Sequence, residues 1–345
     1  MATVILIDGW DYLESTYLTK SKNWSALSGS ATVAGEAGRK GNGLRLVGAA
    51  TLTSKTFTNI ASPSIGHTFR INELVAKTVL TAKDGATAQW TWEMSAGGNI
   101  IVRNGAGTVL GTSAISLNTG EFYHVEVYAP IGNSVTVTLL INGDPGLGFQ
   151  ASGINTNMSG NLRINQIVLG DLTGTTVDVH LDDLYVVDNT APTGVRFVDT
   201  FYPSGGVAGW GQWSVSGGAG SLYQAISETP PDENTSYIYT NAAGSTLAFF
   251  SELEDIRAPT SGGGTIDAIQ IHTLAAKGTS LDRKYRIGWW PNPSAGSVNI
   301  NYGPEIAAVV DYEYGSLLLG PVPGTLAGWG PDTLNALRIG GRRTL

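Results

Sequence analysis

Short runs of β-forming residues, cut at close intervals by Gly, Asn and Asp, leave this chain little choice of architecture. Candidate strands are Thr3–Asp8, Leu44–Val47, Thr51–Phe57, Ile65–Leu74, Thr78–Ala82, Ala88–Met94, Asn99–Arg103, Thr108–Leu110, Phe122–Tyr128, Ser134–Ile141, Leu162–Leu169 and Val177–Val187. Turn formers such as Gly41-Asn42-Gly43, Gly97-Gly98-Asn99 and Asn142-Gly143-Asp144-Pro145 separate them, because these residues adopt the backbone angles that tight reversals need. Only Asp11–Trp24 is ambiguous, with room for a short helical turn before Trp24. No heptad pattern is present. Many short strands without a convincing helix predict an all-β fold, a two-sheet sandwich of the jelly-roll kind.

The stretch from Val177 to Pro203 is the seam of the chain. Val177, Val179 and Leu181 share one parity and Leu184 and Val186 the other, with Asp182-Asp183 between them. A change of parity inside one β segment marks a bulge or bend. Asp188, Asn189, Thr190, Ala191, Pro192, Thr193 and Gly194 then form a cluster of turn residues, and Val195–Thr200 alternates again as a strand. The expected organisation is a jelly-roll domain over 1–190 and a second, smaller β-sandwich domain over 191–345, with a hinge at Asp188–Gly194. A chain of 345 residues fits two domains. Strands expected in the second are Ser236–Tyr239, Thr246–Phe250, Thr265–Leu274, Lys284–Trp290, Ser297–Tyr302 and Ile306–Tyr314. Turn-rich stretches such as Ser204–Ala219 and Gly315–Gly330 separate them, and Pro331–Leu337 reads as a helical turn.

Composition removes several functional classes. The chain has no cysteine, which excludes disulfides, thiolate catalysis and Cys-based metal sites. A net charge of −8, with only Arg338, Arg342 and Arg343 clustered near the end, gives no basic face for general nucleic-acid binding. The opening MATVILIDGW lacks the basic and apolar regions of a secretory signal, so synthesis in a cytoplasm is expected. No run approaches the ~20 apolar residues of a membrane-spanning helix.

Three elements together carry a resemblance: the opening Ile7-Asp8-Gly9-Trp10-Asp11-Tyr12, the turn and strand Gly41-Asn42-Gly43-Leu44-Arg45-Leu46, and the closing Leu181-Asp182-Asp183-Leu184-Tyr185-Val186-Val187-Asp188. In this order they resemble concanavalin A-like (laminin G-like) jelly-roll domains, and more narrowly structural proteins of tailed bacteriophages. The segments Arg196–Pro203, Glu228–Tyr237, Gly264–Gln270 and Trp329–Leu337 extend the likeness through the second half. The resemblance implies a non-enzymatic virion component on tail or capsid. Its expected partners are other virion proteins, further copies of itself and host-surface polysaccharide.

Concanavalin A-like folds also include glycoside hydrolases, which need two carboxyl groups astride the scissile bond. The nearest arrangement here is Asp178-x-His180-x-Asp182, which lacks the glutamates of the glucanase pattern, so a polar strand face is the expected reading; the alternative functions are a glucanase-like depolymerase and a carbohydrate-binding lectin module. Calcium seeks six to eight oxygens. Asp182, Asp183 and Asp188, with Asp8 and Asp11 across from them if the first and last strands pair, are the candidate ligands. His67, His124, His180 and His272 show no metal spacing and read as strand histidines. Tryptophans are the remaining candidates, since indole faces stack on sugar rings and anchor protein partners. Trp90 and Trp92 share one face of a strand, whereas Trp210, Trp213, Trp289, Trp290 and Trp329 crowd the second domain. Trp210, Trp213, Trp289 and Trp290 are the expected binding residues, with Trp289 and Trp290 on opposite sides of their strand.

Overall fold

The computed structural model describes residues 3–171, 178–206, 213–217, 220–227, 235–240, 248–254, 266–277, 283–290, 300–320 and 336–344. Trp210, Trp329, Gly262–Gly264, Pro331–Asn335 and the loop Glu228–Asn234 therefore lie outside the described residues. The chain divides into two compact units, Met1–Asp199 and Thr200–Leu345. Both are all-β. Among the described residues no helix is long and apolar enough to cross a membrane.

The first unit is a jelly-roll-like sandwich built on a 13-stranded antiparallel sheet. Its strands are β1 (Thr3–Asp8), β2 (Trp24–Ala34), β3 (Gly43–Ser54), β4 (Pro63–Ile71), β5 (Lys77–Asp84), β6 (Thr87–Met94) and β7 (Asn99–Asn104). They continue as β8 (Val109–Ser116), β9 (Tyr123–Tyr128), β10 (Val135–Ile141), β11 (Asp144–Ile154), β12 (Gln166–Asp171) and β13 (Asp178–Asp188). The order is β11-β10-β9-β4-β13-β3-β12-β5-β6-β7-β8, with β1 added to β13 and β2 to β3. Strand β3 turns the corner, because its Leu44–Val47 half pairs with β13 and its Ala50–Thr53 half with β12. The two arms therefore face each other. Between them, Trp92 of β6 stacks on His67 of β4 at 5.4 Å and meets Phe69 edge-on at 5.1 Å. A 3-10 helix at Ser15–Lys20 fills the ambiguous N-terminal stretch.

Alternation decides what each strand buries. In β6, Trp90, Trp92 and Met94 point inward and are at most 1% exposed. Trp10 and Trp24 stack on each other at 6.1 Å and are fully buried. These four tryptophans fill the core, which removes Trp90 and Trp92 as surface ligand groups. A lysine is buried in this unit as well. The Lys77 ammonium donates to the Gly48 carbonyl and to Asp171 at 3.1 Å, and Asp171 also accepts the Thr78 N–H at 2.8 Å. The Lys77 side chain is wholly shielded from solvent.

The parity change read in the last strand is real and has a specific form. β13 pairs with β4 along its length, but the register shifts between Asp182 and Tyr185. Asp183 there adopts φ +55°, a left-handed conformation that Asp tolerates better than most residues. Below the bulge β13 pairs with β3, and above it with β1, where Asp8 stands opposite Leu184. First and last strands do pair. At the β10–β11 hairpin Asn142 and Gly143 have φ 52° and 81°, the two positive angles that a two-residue reversal between twisted strands demands.

The second unit holds a six-stranded sheet in which β14 (Pro203–Gly206), β17 (Ala248–Leu253), β23 (Arg338–Arg343), β19 (Arg283–Trp290) and β20 (Asn301–Tyr302) are neighbours. β21 (Ile306–Ala308) is added to β19. Two further pairs are β15 (Ser214–Ser216) with β16 (Tyr237–Tyr239), and β18 (Ile269–Ala275) with β22 (Glu313–Leu319). Ile271, Ile287, Leu319 and Leu337 form the unit's buried apolar cluster. Two expectations fail here. Glu313–Leu319, whose second half was expected to begin a turn-rich stretch, is a strand. Val195–Thr200, expected to open the second domain as a strand, has no strand pairing, and its residues through Asp199 belong to the first unit.

Candidate functional site

The distinctive region of the first unit is one face of the sheet β10-β9-β4-β13. By register, Ser64, Gly66, Thr68 and Arg70 of β4 share that face with Tyr128, Glu126 and His124 of β9. His180 and Asp182 of β13 lie beside Arg70 and Thr68, and Tyr185 lies beside Gly66. Gly66 is required at this spot, since a Cβ there would come within 2.2 Å of the Tyr185 ring. The face is polar yet buried: Ser64, Thr68, Glu126, Asp182 and Asp183 are each at most 1% exposed. Buried polar groups need partners. Two segments of the chain supply them.

The first is the turn before β3. Asp182 accepts the backbone N–H groups of Arg39 at 2.8 Å, Lys40 at 3.4 Å and Asp183 at 2.7 Å. Asp183 receives the Arg39 guanidinium at 2.7 and 3.3 Å and the Thr68 hydroxyl at 2.6 Å. Arg70 reaches the Glu36 carbonyl and the His180 ring at the same edge.

The second segment is residues 189–199, which cross the face as a strap. Thr193 donates its N–H at 2.6 Å and its hydroxyl at 2.8 Å to Glu126 Oε1, and Gly194 donates its N–H to Oε2 at 2.8 Å. Ser64 gives its hydroxyl to Oε1 as well. Tyr185 donates to the Gly194 carbonyl at 2.9 Å. Further along, the Arg196 N–H points at His124 Nε2 at 3.4 Å and the Val198 N–H reaches Asp183 at 2.8 Å. At the outer edge Arg39 covers the Phe197 ring at 4.1 Å and Lys40 pairs with Asp199 at 3.0 Å. A carboxylate has about four acceptor sites. Glu126 and Asp183 each receive four protein donors, so both are saturated.

Burial, and then the neighbouring Asp183 charge, push the Asp182 carboxyl up to about 7, with the three backbone donors opposing. Desolvation likewise raises Asp8 to about 6, although Trp10, Tyr12, Asn23 and Trp24 all donate to it. His67 falls to about 3, and His124 and His180 fall below the ordinary imidazole range, each chiefly by burial. A carboxyl raised in the folded state holds a proton that the unfolded chain has already released. Its effect on stability is therefore most favourable at low pH and declines as pH rises toward the folded value. The stability of the wild type relative to Asp182→Asn should fall between about pH 4 and pH 7 and level off above. Denaturant midpoints of both proteins across that range check this, and the histidines cancel in the difference.

The expected calcium ligands do not converge. Asp182 and Asp183 are engaged as above, whereas Asp188 ends β13 and accepts the Ser62 N–H at 3.1 Å. Asp8 is held in its tryptophan network and Asp11 caps the Asn42 N–H at 2.7 Å. Among the described residues no group of three or more His, Asp or Glu is placed to hold a metal ion. The trio Asp178, His180 and Asp182 does share the lower half of β13, but Asp178 is bound by Arg45 at 2.6 Å and His180 by Arg70 and Asn72. Glu126, the centre of the arrangement, was not singled out from the sequence. The signal for it is the pattern Tyr123-His124-Val125-Glu126-Val127-Tyr128, in which polar residues occupy one parity of an otherwise apolar strand.

In the second unit Trp289 packs on the cluster around Ile287. Trp290 meets Phe250 at 6.2 Å, as the expected opposite orientation of the pair requires. Trp213 meets Phe249 edge-on at 4.9 Å. All three are half-buried, and Trp210 lies outside the described residues.

No family model matches the chain, and no curated protein matches it. Among solved structures it is similar to the cellulose-induced protein Cip1, at 14% identity over 55% of this chain and 100% of that one, with a TM-score of 0.42. It is also similar to a carbohydrate esterase from the Shiga toxin-encoding bacteriophage phi24B, at 20% identity over 55% and 100%, with a TM-score of 0.38. A third is the carbohydrate-binding module CBM66 from Bacillus subtilis, at 13% identity over 48% and 94%, with a TM-score of 0.33. At these scores the likenesses carry no function to this chain.

Proposed function

We propose that the chain is a non-enzymatic structural component of a tailed-phage particle, docking to other virion proteins and adhering to host-surface glycan. The observation that carries the non-enzymatic part is the strap. The sheet face on which a sandwich glycosidase would need an open acid pair is roofed here by residues 189–199, and Glu126 and Asp183 are saturated by donors of the chain itself. A general acid or nucleophile must reach its substrate within hydrogen-bond range. These carboxylates instead hold the chain's own backbone. The place in a phage particle rests on the ordered motifs that resemble phage structural proteins. The half-buried indole of Trp290 beside Phe250 supports glycan contact through a stacking face in the second unit.

Glycan-array binding by the full chain should weaken at least about tenfold in Trp290→Ala, while capsular and cell-wall polysaccharides stay uncut by the wild type. Mass spectrometry of purified particles should find the protein at stoichiometric level. Polysaccharide turnover that disappears in Asp182→Ala would replace this reading with a depolymerase.

A further inference from the structure

The strap is attached to the first unit in a way that permits its exchange between copies. Strand β13 ends at Asp188, tied back by the Ser62 N–H to its carboxylate and by the Asn189 N–H to the Ser62 carbonyl. The next firm anchor is Thr193 on Glu126. Only residues 189–192 separate the two. Within that short span the chain leaves the end of β13 and comes back over Tyr185, the residue whose hydroxyl meets Gly194. Thr190 and Ala191 are exposed, and Pro192 stiffens the reversal. Short, stiff hinges of this kind favour the straightened form in which the following segment crosses to a neighbour.

What the face binds is also generic to any copy. Glu126 and Asp183 take backbone N–H groups from Thr193, Gly194 and Val198, and Gly9 packs against Val198. A second copy presents the same atoms, so each hydrogen bond broken within one chain re-forms between two. The difference between the two forms reduces to hinge strain and association entropy. An incoming glycan or unrelated peptide has to displace the donors that already occupy these carboxylates. A second copy's strap replaces them like for like.

We propose that the face formed by Glu126, Asp183, Tyr185 and Gly9 is an interaction surface for the strap of a second copy, and that residues 189–192 are the hinge of this exchange. Because Thr200 follows the strap directly, exchange carries each second unit across to the partner. The result is an interlocked dimer held by hydrogen bonds that each copy already makes within itself.

The chain contains no cysteine, which makes the test clean. A Cβ on Gly9 stands 3.4 Å from Val198 Cβ, close to the spacing of a disulfide. The full-length Gly9→Cys/Val198→Cys protein is refolded from denaturant at low and at high concentration and then oxidised. The proposal predicts internal disulfides at low concentration and disulfide-linked dimers at high concentration, on non-reducing gels. Internal disulfides at every concentration, including in any dimer seen by light scattering, would overturn it. Independently of the cysteines, deletion of Ala191 should raise the dimer fraction several-fold, and insertion of Gly-Ser-Gly-Ser after Thr190 should abolish it. A folded deletion variant that stays monomeric at high concentration counts equally against the exchange.

Discussion

Glu126→Ala should lower the stability of the first unit by about 3–5 kcal/mol and free the strap. The substitution removes a carboxylate with no solvent exposure and leaves the Ser64 hydroxyl and the Thr193 and Gly194 N–H groups without an acceptor. An orphaned buried donor such as the Ser64 hydroxyl costs on the order of 1–3 kcal/mol, the half-buried N–H groups of Thr193 and Gly194 cost less, and the lost side-chain volume adds to that. For a unit of this size, the thermal midpoint should drop by roughly 10 °C. Two readouts separate this from ordinary core damage. Amide exchange at Thr193, Gly194 and Val198 should accelerate in Glu126→Ala, and the apolar pairing of Trp92 with His67 and Phe69 should remain. Glu126→Gln retains one acceptor oxygen and should fall between the wild type and the alanine variant.

The second large effect is expected at the opposite arm of the sandwich. Asp171→Ala should cost about 3–5 kcal/mol, because it strands an ammonium whose side chain has no solvent exposure, leaving it only the Gly48 carbonyl. Lys77→Met should cost less. Methionine fills much the same volume, and Asp171 keeps the Thr78 N–H and part of its exposure to water. The double variant Lys77→Met/Asp171→Ala should be more stable than Asp171→Ala alone, since no charge is then buried. Urea denaturation of the four proteins reads this directly. Strap exchange should be unchanged throughout, because Asp171 and Lys77 do not touch residues 189–199.

The parts of the fold that were legible in the sequence are those where side chains carry the signal. Buried strands such as β6 and β10 alternate or run apolar, and tight turns such as Asn142-Gly143 announce their backbone angles. The bulge at Asp182-Asp183 was visible as a parity slip. What escaped were the edge strands. β2 contains Leu27-Ser28-Gly29-Ser30-Ala31 and is largely exposed, and β11 opens with Asp144-Pro145-Gly146. Their membership comes from backbone ladders with β3 and β10, which leave little trace in side-chain pattern.

The strap was misread for the converse reason. Val195, Phe197 and Asp199 alternate with Arg196, Val198 and Thr200 as a strand would. Their contacts do not follow that alternation: Val195 lies against Gly143 and Val198, three residues on, against Gly9, while Arg196 and Phe197 are exposed. The turn cluster at Asp188–Gly194 was read, from its turn chemistry, as the hinge between the two domains. That chemistry does not reveal that Thr193 and Gly194 are also held by Glu126, a residue far away in sequence. A contact of that separation cannot be read from local composition. Of the candidate site, Asp182 and Asp183 were found by their place in the bulge. Their function as anchors for Arg39, Lys40 and Val198 became visible only when the fold brought those donors to them.

The chain's own strap closes the polar face of the first unit. Native-state amide exchange at Thr193, Gly194 and Val198 in the full chain tests it most directly. Their N–H groups donate to buried carboxylates at 2.6, 2.8 and 2.8 Å, so exchange there should be slowed to the level of the first unit's core strands, with Thr190 and Ala191 exchanging fast. Uniformly fast exchange from 189 through 199 would show an open face and a free linker, and would contradict it.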